Sequence, residues 1–154
     1  MDDAMMRMVE LGHQGFYCSQ ILIILALEAQ GKSNPDLVRA MSGLHGGMGD
    51  CGKVCGTVTG GACLLALYAG KGTPEELEDT RLNPMIDELV EWFEQECRAR
   101  FNTGINCSDI LQDDARNRMS RCPQIVMSTF EKAREILAAH NIDFTVNPAD
   151  KRNY

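Results

Sequence analysis

The chain has 154 residues, long enough to bury the core of one ordinary domain without a metal or disulfide to compensate for small size. Its 44% hydrophobic and 24% charged residues exclude a disordered polypeptide. A net charge of −7 with no basic run excludes nucleic acid as a general partner, and the longest apolar run, Ile21 to Leu27, is far too short to span a bilayer.

The acidic opening Met-Asp-Asp-Ala lacks the basic and then apolar order of a secretory signal, so the expectation is a cytoplasmic protein with no transmembrane segment, one domain over 1–154. A first helix is predicted over Asp3 to Leu11, with Met5, Met8, Val9 and Leu11 as its apolar face. The segment from Cys18 to Gln30 is apolar on nearly every side and too long for a typical strand, so it reads as a central buried helix ending before Gly31. Asn34 and Pro35 have the chemistry of a cap and a first-turn residue for a short helix through Met41. A second buried helix is predicted over Thr57 to Tyr68, with Gly60, Gly61 and Ala62 allowing another helix or a cofactor to come close.

Thr73-Pro74-Glu75-Glu76 carries helix-start residues, and Asn83-Pro84 offers a second start before an amphipathic helix over Met85 to Phe101 with Ile86, Leu89, Val90 and Phe93 inward. Cys107 opens a short segment, and Cys122-Pro123 is expected to open a last helix to about His140, where Ile125, Val126, Thr129, Phe130, Ala133, Ile136 and Leu137 recur at helical spacing. The predicted fold is an all-α, compact helical bundle with a glycine-rich loop entering a buried helix.

Seven cysteines, Cys18, Cys51, Cys55, Cys63, Cys97, Cys107 and Cys122, favour metal binding or reversible thiol chemistry in a reducing compartment. The stretch from Gly43 to Gly61 is rich in glycine, which permits unusual backbone angles and leaves room for a bulky group. It lacks the order of a phosphate-binding loop, and no C-x-x-C dithiol or C-x-x-C-H haem motif is present. Cys51 and Cys55 would share a face if both were helical, with Cys63 repeating it two turns later. Cys18, Cys55, Cys107 and Cys122 each fall at or near a predicted helix start, where four thiolates could ligate iron or zinc with helix amides moderating their charge.

Through Tyr17-Cys18-Ser19-Gln20, Gly46-Gly47-Met48-Gly49, Cys55-Gly56-Thr57-Val58-Thr59-Gly60, Ile105-Asn106-Cys107 and Cys122-Pro123, the chain resembles a redox-active family named for its Cys and CGAxxG pattern and related to the N-terminal part of split-Soret cytochromes. The resemblance runs from about Gly12 to Leu137 and implies a helical domain whose four characteristic cysteines are Cys18, Cys55, Cys107 and Cys122. It implies redox or electron-transfer activity through a cysteine-ligated metal centre, with an iron–sulfur cluster as the leading cofactor. Gly46, Gly47, Gly49, Gly56 and Gly60 are the candidate cofactor-binding positions. Thr57 stands where the motif usually has alanine, and its hydroxyl could donate a hydrogen bond near sulfur. The alternatives are metal-free thiol–disulfide exchange and a structural zinc site. A redox partner protein is expected, with a homo-oligomer as a further partner. His45, Lys53 and Asp50 carry weaker signals: a ligand, a cation near sulfur and a turn former.

Overall fold

The computed structural model describes residues 3–151, and the fold is all-α. Its helices are α1 (Asp3–His13), α2 (Cys18–Ala29), α3 (Pro35–Met41), the four-residue α4 (His45–Met48), α5 (Gly56–Ala69), α6 (Leu82–Phe101), α7 (Cys107–Leu111) and α8 (Arg116–Ala139). Short 3-10 turns occupy Ser42–Leu44 and Pro148–Lys151. Among the described residues, no helix is long and apolar enough to cross a membrane.

Helices α2 and α5 are apolar around their whole circumference, which requires cover on every side. Ile21 to Leu27 are all buried, as are Leu64, Leu65 and Tyr68 of α5. The amphipathic α6 and α8 supply the cover with Met85, Leu89 and Phe93 on one and Ile125, Val126, Phe130, Ala133, Ile136 and Leu137 on the other. Glycine sets how closely these helices meet. A β-carbon at Gly60 would stand 2.9 Å from Ser19 Cα on α2, and one at Gly61 would stand 2.9 Å from Leu89 Cδ2 on α6 and 3.1 Å from Thr129 Cγ2 on α8. Asn34 caps α3 as its chemistry predicts, its side chain accepting from Leu37 N at 3.1 Å.

Three local expectations are corrected. Helix α8 begins at Arg116, so Cys122 lies two turns inside it and Pro123 is an interior proline. The start signal at Cys122-Pro123 misleads because proline suits a first turn but is also carried where the missing N–H can be tolerated. Thr73 to Glu76 opens no helix: the buried Glu76 carboxylate accepts from the Gly72 and Thr73 amides, which fixes a turn instead. On α1 only Met8 and Leu11 are buried, while Met5 and Val9 are 38% and 48% exposed.

The α2–α5 contact yields a stability prediction. Gly60→Ala should destabilise the protein by about 1–3 kcal/mol through overpacking, even though alanine is the better helix former. Gly12→Ala, in a helix with nothing within 4 Å of the added carbon, should raise stability. Urea unfolding of both variants checks the contrast.

Candidate functional site

The glycine-rich loop is built on a left-handed backbone. Gly46, Gly47, Met48, Gly49 and Asp50 all have positive φ, between 56° and 71°. Such a run is open to glycine but costs other residues about 1–2 kcal/mol each. The turn closes through Gly52 N donating to Gly46 O (3.0 Å) and Lys53 N donating to Gly47 O (3.1 Å). No β-carbon fits at Gly46, where it would meet the Asp50 carboxylate, or at Gly47, where it would meet the Lys53 backbone. Gly49 has open space and needs only its positive φ. Met48→Gly should therefore stabilise the chain by roughly 0.5–1 kcal/mol, the relieved strain less glycine's entropy, and Met48→Val should destabilise it; thermal unfolding measures both.

This loop delivers Cys55 to its place and fastens Cys107 beside it. Val54 and Asn106 form an isolated antiparallel bridge, flanked by Cys55 N donating to Ile105 O (3.0 Å) and Cys107 N donating to Lys53 O (2.7 Å). Ser108 adds two bonds to Gly52 O, from its amide at 3.2 Å and its hydroxyl at 2.8 Å. Cys55 is the N-cap of α5 and Cys107 the first residue of α7. Cys18 opens α2, where Gln20 Oε1 accepts from Tyr17 N at 3.0 Å and buried Ser19 Oγ donates to Met41 O at 2.8 Å. Its sulfur lies against α5: a β-carbon at Gly56 would stand 3.1 Å from Cys18 Sγ and 2.6 Å from Leu44 O. Cys122 faces the group from the interior of α8.

The four cysteines therefore converge, and each acts electrostatically on the other three. Burial is the largest influence and pushes every one of these thiols up, Cys122 to about 12. Negative charge on neighbouring sulfurs raises them further. Opposing this, the Thr57 side chain favours the thiolates of both Cys18 and Cys55, the Ser19 amide favours that of Cys18, and the Thr57 and Val58 amides favour that of Cys55. Arg118, paired with Asp50 at 3.3 Å, favours ionisation of Cys18, Cys107 and Cys122.

Cys51 is exposed on a turn and Cys55 is buried, so the pair shares no helical face. Cys63 is half-buried, and burial alone raises its thiol, with no influence from the other cysteines. Cys97 lies fully buried in a small apolar cluster with Cys55, Val58, Phe93, Ile110 and Ile125, which forms the floor beneath the group. The ring of His45 meets Tyr17 edge-on at 3.7 Å, and its buried Nδ1 has no protein partner. Lys53 contributes through its backbone. Of the candidate glycines, Gly56 faces a site sulfur, Gly46 and Gly47 close the loop on itself, and the space at Gly60 is taken by Ser19. Arg118 is the charged side chain beside the cysteines that the sequence motifs did not mark; its signal is its position one turn before Cys122 on one helix face.

The raised thiols link pH to stability in the reduced, metal-free protein. Above the ordinary thiol value of 9.0, the unfolded chain loses thiol protons that the native state retains, so stability falls as pH rises toward about 12. The urea midpoint should be lower at pH 10 than at pH 8, and Cys122→Ala should shrink that difference.

Comparison with known proteins fits this arrangement. No curated protein and no solved structure matches the chain. A sequence model of one family, described as "Putative redox-active protein (C_GCAxxG_C_C)", matches residues 16–136, which include all four converging cysteines. The matched residues contain Cys55-Gly56-Thr57-Val58-Thr59-Gly60, in which cysteine precedes glycine whereas the family's description writes Gly-Cys-Ala. By that match, the chain belongs to the C_GCAxxG_C_C redox-active family.

Proposed function

We propose that Cys18, Cys55, Cys107 and Cys122 hold an iron–sulfur cluster and that the protein exchanges single electrons with a partner protein. The observation that carries this reading is the convergence of four sequence-distant landmark cysteines, each within electrostatic reach of the other three.

The donor set fits such a group chemically. Thiolate sulfur is the standard protein ligand of iron–sulfur clusters. Gly56 leaves Cys18 Sγ against bare backbone, and the orphaned His45 Nδ1 lies on the segment packed against Gly56. A single zinc ion needs sulfurs at about 2.3 Å, and so about 3.8 Å from one another in a tetrahedron. Among the described residues, no three His, Cys, Asp or Glu side chains are grouped to hold one ion. A cluster asks for a wider set, because each thiolate binds a different iron or shares an iron with only part of the set. When bound, the cluster would supply a one-electron couple. The chain's own part is to hold four sulfurs, to exclude water from Cys55 with the apolar floor, and to balance negative charge with Arg118 and the first-turn amides of α2 and α5.

Anaerobic purification and reconstitution, followed by iron and acid-labile sulfide analysis and ultraviolet–visible spectroscopy, tests the proposal. The expected result is bound iron, sulfide and a chromophore that dithionite bleaches reversibly. Serine at any of the four cysteines should cut iron occupancy severely, whereas Cys63→Ser should leave it intact. Failure to take up iron under reconstitution would sink the reading: reversible disulfide formation without metal would replace it with thiol exchange, and redox-silent zinc with a structural site.

A further inference from the structure

Helices α1 and α3 both pack on α2, and a cavity of about 560 Å³ is lined from all three. That volume falls within the roughly 300–1,000 Å³ of sites that take small organic molecules. Its α2 wall is Gln20, Ile24, Leu27 and Glu28, which recur at helical spacing along one face and span about 12 Å. Buried Leu11 of α1 and half-buried Val38 of α3 join Ile24 and Leu27 in an apolar floor. Gln20, 8% exposed, lines the cavity with hydrogen-bonding capacity to spare. Its Oε1 accepts from Tyr17 N at 3.0 Å and its Nε2 donates to Val38 O at 3.1 Å. One amide hydrogen and one carbonyl lone pair are left over among the described residues, and a buried amide gains from a further partner.

The charge of the lining opposes that of the chain. Arg7, Lys32 and Arg39 line the cavity against the single acid Glu28, whereas the whole chain carries 15 basic and 22 acidic residues. A concave site of positive sign draws an anion. Its cations are not equivalent. Arg7 is held by both Glu10 and Glu28 at 2.7 Å, and Lys32 by Asp150 at 2.6 Å. Arg39 pairs with Asp36 at the surface, where their side chains are 72% and 95% exposed and an ion pair is worth little. Because Arg39 follows Val38, whose carbonyl accepts from Gln20, the exchangeable cation and the spare amide stand at one end of the cavity. We propose that this cavity binds a small organic anion with an elongated apolar body, of the medium-chain carboxylate class, its head at Gln20 and Arg39 and its tail over Leu11, Ile24 and Leu27. A fully polar anion would leave the apolar floor in contact with water, and a neutral hydrocarbon would leave Arg39 and the Gln20 amide unanswered. Binding is non-covalent, and no electron or proton moves. None of the four converging cysteines lines the cavity, so its occupancy does not depend on what the sulfurs hold.

The test is isothermal titration calorimetry of the full, reduced chain with decanoate below its micelle concentration, paired with methyl NMR spectra that locate the ligand. The expected result is one decanoate per chain, with shifts in the methyl resonances of Leu11, Ile24, Leu27 and Val38. Arg39→Glu should weaken binding about tenfold, and decanol, which keeps the tail without the charge, should bind about tenfold more weakly than decanoate. Val38→Trp, which fills the cavity, should abolish binding; if circular dichroism shows that this variant does not fold, Ser33→Trp at an exposed lining position takes its place. No binding of decanoate, or methyl shifts confined to other residues, would overturn the site. Decanol binding as tightly as decanoate, or Arg39→Glu binding decanoate like wild type, would overturn the anionic head. A folded tryptophan variant that binds decanoate like wild type would overturn the cavity as its place.

Discussion

The close approach of α2 to α5 governs most of what lies at the cysteine end. Two consecutive glycines let α5 be gripped from opposite sides, Gly60 by the α2 backbone at Ser19 and Gly61 by Leu89 and Thr129 of α6 and α8. One turn earlier, Gly56 repeats the device with Leu44 O and Cys18 Sγ as its neighbours. Because α2 begins at Cys18 and α5 begins just after Cys55, bringing the two helices together at their first turns brings those two sulfurs together as well. Interior glycines weaken a helix by about 1 kcal/mol each relative to alanine, so their retention in α5 is accounted for by packing and by the site.

Charge is the second constraint. Four thiolates gathered among buried side chains would repel one another strongly, and burial first and that repulsion second raise all four thiols. The chain's compensations are the Ser19, Thr57 and Val58 amides, the Thr57 side chain and Arg118, which is 48% exposed and divided between the sulfurs and Asp50. A multiply charged cationic centre would add what is missing, because a bound metal favours the deprotonated ligand outright. Thiol exchange asks for less, one thiolate at a time, but has to draw it from a group in which burial raises every thiol, Cys122 to about 12.

Much of this was legible in the sequence where a residue's neighbours in the chain decide its state. The apolar girth of Ile21 to Leu27, the Asn34-Pro35 cap and the α8 stripe from Ile125 to Leu137 all appear as read. Capping failed where a side chain had two local options: Glu76 holds a turn with Gly72 and Thr73 although its neighbours look like the start of a helix. Proline at 123 looked like a boundary because its missing N–H is tolerated both at a helix start and inside a helix that packing holds in place. The bridge between Val54 and Asn106 had no signal at all, since it joins two irregular segments distant in the chain. Arg118 was hidden for the same reason: its tie to Asp50 crosses from α8 to the left-handed loop.

Cys122 shows why that tie matters. The other three cysteines sit where a helix begins, so each inherits its position from a loop, whereas Cys122 inherits its position from the register of a 24-residue helix. On one face of α8, Arg118, Cys122 and Ile125 succeed one another at helical spacing, a cation at the loop, a sulfur at the centre and an apolar side chain in the floor beneath Cys55. The loop end of this ladder is Asp50, which closes the left-handed run begun at Gly46 and faces the site with its carboxylate. That carboxylate opposes ionisation of Cys107, while Arg118 favours it. The pair thus joins the left-handed loop to α8 and partly offsets the charge of Arg118. The Asp50–Arg118 contact ties the loop's conformation to the charge felt by the sulfurs, and it does so from the solvent-facing rim, where salt screens it.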